Sequence, residues 1–255
     1  VKLALAVTTT GKAPGRHADL ARAKAEAWGL PFLERPLKSP IEKLLEVAEA
    51  LLVLGGAGWA LADASGSCAF SPGLATVRLK RLDKGEQAQD VIVRLGELRP
   101  GDVVVDGTVG LAADALVCAR AVGPTGRVLG AEASLPIWAL VSEGLAPDAR
   151  SAPIEVRRAS ALELLRGLPG GSADVVCLDP MFDRPSKAAP GFAVLRRYAV
   201  HAPLDAETLA EARRVARRWV LVKAGRYGQE FERLGLREER LVRGSPVRWA
   251  RVPPA

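Results

Sequence analysis

The sequence predicts an α/β protein in two parts: a small N-terminal α/β unit, then a larger unit built on a mostly parallel sheet with an antiparallel edge hairpin. Three observations carry this. From Asp102 onward, apolar β-like runs alternate with helical stretches, the pattern of right-handed βαβ units. The chain closes on two β-like runs around the turn residues Gly244, Ser245 and Pro246, which read as a hairpin at a sheet edge. With 255 residues, 49% hydrophobic and 25% charged, it has the balance of an ordinary globular chain and room for two such units.

Each element has its own warrant. Leu3 to Val7 is an apolar run ended by Thr8, Thr9, Thr10 and Gly11, a strand and a turn. Asp19 to Trp28 carries apolar residues at helical spacing and meets Gly29, a natural C-cap. Pro31 to Glu34 reads as a second short strand. Ser39, Pro40 and Glu42 mark a helix start for the stretch up to Ala48. Ala50 to Leu54 and Trp59 to Ala62 are two strands around Gly55 and Gly56. These make a small α/β unit over residues 1–66, expected to serve substrate binding beside the larger unit. Residues 67–90 form the expected connector: loop signals at Ser67, Ser71, Pro72 and Gly73, then a basic segment, Ala75 to Leu82, that can be helical. The larger unit spans 91–255. Its strands are Asp102 to Asp106, Arg127 to Glu132, Ile154 to Arg158, Ala173 to Asp179, Trp219 to Lys223, Arg237 to Val242 and Val247 to Val252. Helices fall at Leu111 to Ala121, Pro136 to Leu145, Ala161 to Leu168 and Ala206 to Arg218.

Several function classes drop out. No apolar run reaches the roughly 20 residues of a membrane-spanning helix, and the N-terminal apolar run is too short for a secretory leader, so a cytoplasmic location is expected. Cys68, Cys118 and Cys177 lie far apart, against a disulfide framework or a zinc site, and no metal is expected. The two histidines, His17 and His201, have no motif around them. The net charge is +7, carried by 27 Arg and 9 Lys with no Asn, which permits a nucleic-acid partner without requiring one.

Parallel sheets bind ligands at the carboxyl tips of their strands, and three tips here carry unusual residues. The first is Asp106-Gly107-Thr108-Val109-Gly110-Leu111-Ala112-Ala113-Asp114. Its glycines permit a tight turn and close approach of a ligand. The strand ends in an acid where a dinucleotide site has its first glycine, which favours a cationic group over a pyrophosphate. The second is Glu132, 26 positions on, placed to accept ribose hydroxyls. The third is Asp179-Pro180-Met181-Phe182. There the Asp and a nearby carbonyl form an acceptor pair suited to a planar amine, and Phe182 can stack on its ring.

Together these residues resemble the class I S-adenosylmethionine (SAM)-dependent methyltransferases. More narrowly, D-G-T-V-G-L-A-A-D and L-D-P-M-F are similar to D-x-T-x-G-L-G-x-D-A and L-D-P-M-F of the bacterial small-subunit ribosomal RNA guanine-N2 methyltransferase family and its uncharacterised relatives. F-S-P-G-x-A-x-x-R-x-x-R-L, upstream, resembles the latter branch. The resemblance covers Phe70 to Lys223 and implies a Rossmann-like sheet of seven strands with SAM as cofactor. It implies that Asp106, Gly107, Thr108 and Gly110 shape the methionine pocket, with Ala113 and Asp114 alongside. It sets Glu132 and Ala133 at the ribose, Ser160 and Ala161 at the adenine, and Asp179 on the cofactor side. Asp179, Pro180, Met181 and Phe182 become the catalytic group facing the target. Ala112 replaces a family Gly, and Ala113 lacks the Arg of the characterised enzyme.

The implied reaction is direct in-line methyl transfer to an exocyclic amine of a guanine in ribosomal RNA. Arg78, Lys80 and Arg81 in the connector and Arg184 and Lys187 beyond Phe182 are the expected RNA contacts. Arg213, Arg214, Arg217 and Arg218 read as one solvated helical stripe. A methyltransferase for a small-molecule or protein amine, or a non-catalytic relative that binds SAM or RNA, stays open beside this, while the Asp106 tip argues against a nicotinamide enzyme.

Overall fold

A computed structural model describes residues 2–180, 192–225, 229–239 and 247–255, which fall into two compact units. In chain order the elements are β1 (Leu3–Thr9), α1 (Pro14–Trp28), α2 (Glu42–Leu45), β2 (Ala48–Gly55), β3 (Gly58–Asp63), β4 (Gly66–Ala69), α3 (Gly73–Asp83), α4 (Val91–Gly96), β5 (Val103–Asp106), α5 (Ala113–Val122), β6 (Arg127–Glu132), α6 (Leu135–Gly144), β7 (Ile154–Arg158), α7 (Ala161–Arg166), β8 (Ala173–Leu178), α8 (Phe192–Tyr198), α9 (Ala206–Val215), β9 (Ala216–Gly225), α10 (Glu230–Arg233) and β10 (Val247–Val252).

The first unit takes in 2–71, 139–144 and 192–198. Its sheet runs β1-β2-β3-β4, with β1 parallel to β2 and the rest an antiparallel meander. The apolar side of α1, with Ala21, Ala25 and Trp28, is buried, and the helix ends at Gly29 in the left-handed conformation (φ 67°). The expected strand Pro31 to Glu34 shrinks to one parallel bridge between Val7 and Phe32, because proline supplies no N–H to a ladder. The expected helix up to Ala48 is a single turn, and Ser39 does not cap it: residues from Ala48 on are drawn into pairing with β1 and β3. The buried Asp63 accepts hydrogen bonds from Ser65 and from the Tyr198 hydroxyl (3.2 Å), which ties α8 to this unit.

The second unit holds a sheet of six strands in the order β10-β9-β8-β5-β6-β7, parallel except for β10. The seventh expected strand, Arg237 to Val242, shows among the described residues as one antiparallel bridge, Glu238 to Ala250; residues 240–246 of the hairpin lie outside them. The stretch 67–90 is divided: residues 66–69 form β4 of the first sheet, and α3 packs with α5 in the second unit around Leu82, Val93 and Val117. The core of the second unit gathers Val105, Val176, Leu178, Val220, Val222 and Phe231, so the middles of β5, β8 and β9 are buried and their polar groups lie toward the strand ends. Among the described residues, no helix is long and apolar enough to cross a membrane.

The expected arginine stripe is corrected. Helix α9 stops at Val215, and Arg217 and Arg218 lie in β9. The following Trp-Val-Leu-Val run pairs with β8 and β10, and that ladder outweighs continued helix. The four arginines are engaged internally: Arg213 with the Pro253 and Pro254 carbonyls, Arg214 with Glu211, Arg217 with Asp174 and Arg218 with Asp102.

Candidate functional site

The tips of β5, β6 and β8 adjoin because those strands are neighbours in the sheet. Asp106 ends β5, 3% exposed, and its Oδ1 accepts the Thr108 N–H at 3.0 Å. The Gly107 N–H donates to the Cys177 carbonyl (2.9 Å), and a Cβ there would stand 2.7 Å from Leu178 Cδ2, so only glycine lets β5 and β8 meet this closely. Gly110 has φ +51°, and its N–H donates to Glu132 Oε2 at 3.0 Å. A Cβ on Gly110 would meet nothing within 4 Å, so open space lies over the turn. Ala112 stands at φ +59°, in the left-handed region where the resembling family has glycine, and starts α5.

A chain of ion pairs runs beneath this turn. The Asp179 N–H donates to Thr108 Oγ1 at 2.6 Å, which fastens the β8 tip to the β5 turn. Lys223 Nζ, at the end of β9, donates to Asp179 Oδ2 (2.6 Å) and Asp114 Oδ2 (3.1 Å). Arg78 pairs with Asp114 Oδ1 and grips Asp90 with two bonds, 2.7 and 3.0 Å. Asp90 in turn caps α4 through the Ile92 N–H. Neither Lys223 nor Asp90 was among the expected site residues. The available signal for Lys223 was a cation at the tip of an apolar strand, since such a residue needs a carboxylate partner. Asp179 Oδ1 takes no hydrogen bond among the described residues.

The charges follow from this geometry. Burial, then the nearby Asp114 charge, pushes the Asp106 carboxyl up to about 7. Burial also raises Asp114, but Lys223 and Arg78 outweigh it and hold that carboxyl below its usual range. Asp179 is raised by burial, partly countered by Lys223, although its side chain is 31% exposed. Burial raises Glu132 as well, against hydrogen bonds from the Ser134 and Gly110 N–H groups. Asp106, Asp114, Asp179 and Glu132 face the two cations Lys223 and Arg78, so the tip is net negative, and more so once Asp106 is ionised.

The remaining expected residues separate. Ala133 is exposed at the end of β6. Ser160 is committed to a capping box with Glu163 at the start of α7, while Ala161 borders Gly107. Pro180 is buried; Met181, Phe182, Arg184 and Lys187 lie outside the described residues. Arg78 is turned inward to Asp90 and Asp114 rather than outward to RNA, because two carboxylates hold its guanidinium. Lys80 and Arg81 are exposed on α3. A cavity of about 320 Å³ elsewhere in this unit, beside Leu116, Arg120 and Ala152, contains none of the expected residues. Among the described residues no group of His, Cys, Asp and Glu is arranged to hold a metal ion.

Comparison with known proteins adds the family. Residues 69–238 match the family model described as "Putative SAM-dependent methyltransferase". The chain is 34% identical over 238 residues to "Uncharacterized protein YpiP" of Bacillus subtilis (strain 168), covering 89% of this chain and 91% of that protein. In fold it is similar to the SAM-dependent methyltransferase NGO1261 of Neisseria gonorrhoeae, with a TM-score of 0.62 and 22% identity over 97% of this chain and 95% of that one. The chain belongs to the SAM-dependent methyltransferase family, and SAM is its cofactor.

Proposed function

We propose that the protein transfers a methyl group to the exocyclic amine of a guanine in ribosomal RNA. The observation that carries this reading is Asp179: its backbone is fastened to Thr108, one carboxylate oxygen is anchored by Lys223, and the other, without a partner among the described residues, can accept an amine N–H. The residues at the tip fit the cofactor. The net negative turn suits its cationic methionine end, and open space over Gly110 leaves room for it. Each Glu132 oxygen takes one backbone N–H and keeps a lone pair for a ribose hydroxyl.

When bound, SAM supplies an electrophilic methyl group on sulfur. Asp179 Oδ1 would hold the target amine so that its lone pair faces that carbon, and would take up the proton the nitrogen sheds as the new C–N bond forms and the methyl–sulfur bond breaks, leaving the neutral thioether. A raised carboxyl at Asp179 makes it the better proton acceptor. Positioning supplies most of the rate. Pro180, Met181 and Phe182 complete the target side, Lys80, Arg81, Arg184 and Lys187 supply RNA contacts, and the N-terminal unit of residues 1–66 adds substrate binding.

The test is twofold. Ribosomal RNA from cells with and without the gene, compared by mass spectrometry, is expected to differ by one methylguanine; identical spectra contradict the reading. Asp179→Ala is expected to lower transfer by about 10³-fold while the chain stays folded by circular dichroism. Full activity in that variant removes the role given to Asp179.

A further inference from the structure

The first unit contains a miniature version of the strand-tip geometry on which the second unit is built. The chain leaves β1 through α1 and returns at Phe32, which bridges β1 in parallel on one edge. It then passes through α2 to β2, which lies parallel to β1 on the other edge. The strand order therefore reverses at β1, and ligands in open α/β sheets bind outside the carboxyl ends of strands at such a point. A cavity of about 340 Å³ sits there, lined by Thr9, Gly15, Ala18, Phe32, Glu34 and Arg35 among others. That volume is within the range of small-ligand pockets.

Its polar groups point to an anion. Thr9 is 1% exposed, lines the cavity, and its hydroxyl makes no hydrogen bond among the described residues. The sheet register puts Thr9 opposite Leu54, and Leu54 opposite Trp59, whose ring lies 4.9 Å from that of Trp28; Thr9 is thus on the face covered by α1. Helix α1 has 15 residues, no side-chain cap and no acid in its first turn, so its N-terminal N–H groups and positive dipole end are uncompensated. Arg35 is held by its Nε donating to the Ser39 carbonyl (2.8 Å), and its Nη groups make no hydrogen bond among the described residues. Gly11 makes this possible: a Cβ there would stand 2.9 Å from the Ser39 oxygen and 3.0 Å from Arg35 Nε. The one carboxylate on the wall, Glu34, is paired with Arg22 at 2.7 Å.

We propose that this cavity binds the phosphate of a single nucleotide unit, either a free nucleotide or one residue of an RNA chain, with the helix N–H groups, the Thr9 hydroxyl and the Arg35 guanidinium as donors. The site is a binding site without chemistry of its own, and it stands whether or not the methyl acceptor is RNA. The free volume beyond the phosphate, walled by Ala18 and Phe32, takes the sugar.

The experiment titrates the full chain with inorganic phosphate, then GMP, then a 5′-phosphorylated tetranucleotide, followed by amide and ³¹P NMR. Saturable binding, roughly millimolar for phosphate and tighter for GMP, with amide shifts at 9–16, is expected. Gly15→Asp is the decisive variant: a side chain at Gly15 meets nothing within 4 Å, and an acid in the first turn favours the helix, so the chain folds while the anion is repelled. It is expected to weaken phosphate and GMP at least about tenfold, and Thr9→Val to weaken them severalfold, with unfolding midpoints confirming the fold of both. A tetranucleotide that binds more tightly than GMP, through Gly15, assigns the site to RNA; equal or weaker binding assigns it to a free nucleotide. No saturation by phosphate or GMP, or saturation that Gly15→Asp leaves unchanged, overturns the proposal.

Discussion

At the end of β5, the turn through Gly107 and Gly110 leads into α5 among Asp106, Asp114 and Asp179; at the end of β1, the turn through Gly11 leads into α1 near Lys12, Arg16 and Arg35. Both are parallel strand tips where strand order reverses, and both face a helix start. Backbone geometry alone would make each an anion site. At β5 the carboxylates override the dipole and turn the tip toward a cation. At β1 the one carboxylate lining the cavity among the described residues, Glu34, is paired with Arg22. On the two proposals made above, the same backbone device serves opposite ligands, and the side chains at the strand end make the choice.

The largest effect expected from breaking the contrast comes from Lys223. Lys223→Met leaves Asp179 without its cation and Asp114 with Arg78 alone, and is expected to destabilise the chain by about 3–5 kcal/mol at pH 8. The loss shrinks toward pH 5, because carboxylates that have lost their cation take up protons more readily. Urea unfolding at both pH values checks this; a loss below about 0.5 kcal/mol at pH 8 would mean the acidic tip does not depend on its cations.

Asp106 is next. Its folded pKa of about 7 lies above the ordinary 3.8, so the stability tied to its protonated form is fully present below pH 4 and lost as pH rises through about 7. Asp106→Asn is therefore expected to be more stable than the parent at pH 8, by roughly 1–4 kcal/mol, with no gain at pH 4. The same variant is expected to bind SAM at least about tenfold more weakly. In the parent, SAM affinity should climb as pH rises toward 7 and level off above it, as measured by calorimetry. A flat profile breaks the link between the ionised tip and the cationic ligand.

The smallest effect sharpens the turn itself. Ala112→Gly relieves a left-handed alanine but gives up a buried methyl, for a net gain under about 1 kcal/mol in thermal unfolding.

Local pattern was enough for six strands of the second sheet. The strands Arg127–Glu132 and Ile154–Arg158 match their expected bounds: the first is buried and reads as a nearly continuous apolar run, while the second, at the sheet edge, shows itself by Ile154 and Val156 alternating with charged residues. It failed where pairing decided the outcome: Gly66–Ala69, read as loop, is a strand only because β3 offers it a partner. The converging tips at Asp106, Glu132 and Asp179 were legible as strand ends with acids, while the first unit's membership of 139–144 and 192–198 was not.

By itself, then, the sequence determined the alternation of strands and helices from β5 to β9, the glycine turn at 107–110 and the acids at the strand ends, since periodicity and turn chemistry act over a few residues. Only the tertiary structure decided that Arg78, which reads as a surface cation, is spent on Asp90 and Asp114, and that Lys223 joins Asp114 to Asp179. The reason is physical: a buried charge is tolerated only beside its opposite, and that opposite stands on another strand or helix, 36 positions away for Arg78 and Asp114, where no local pattern records it.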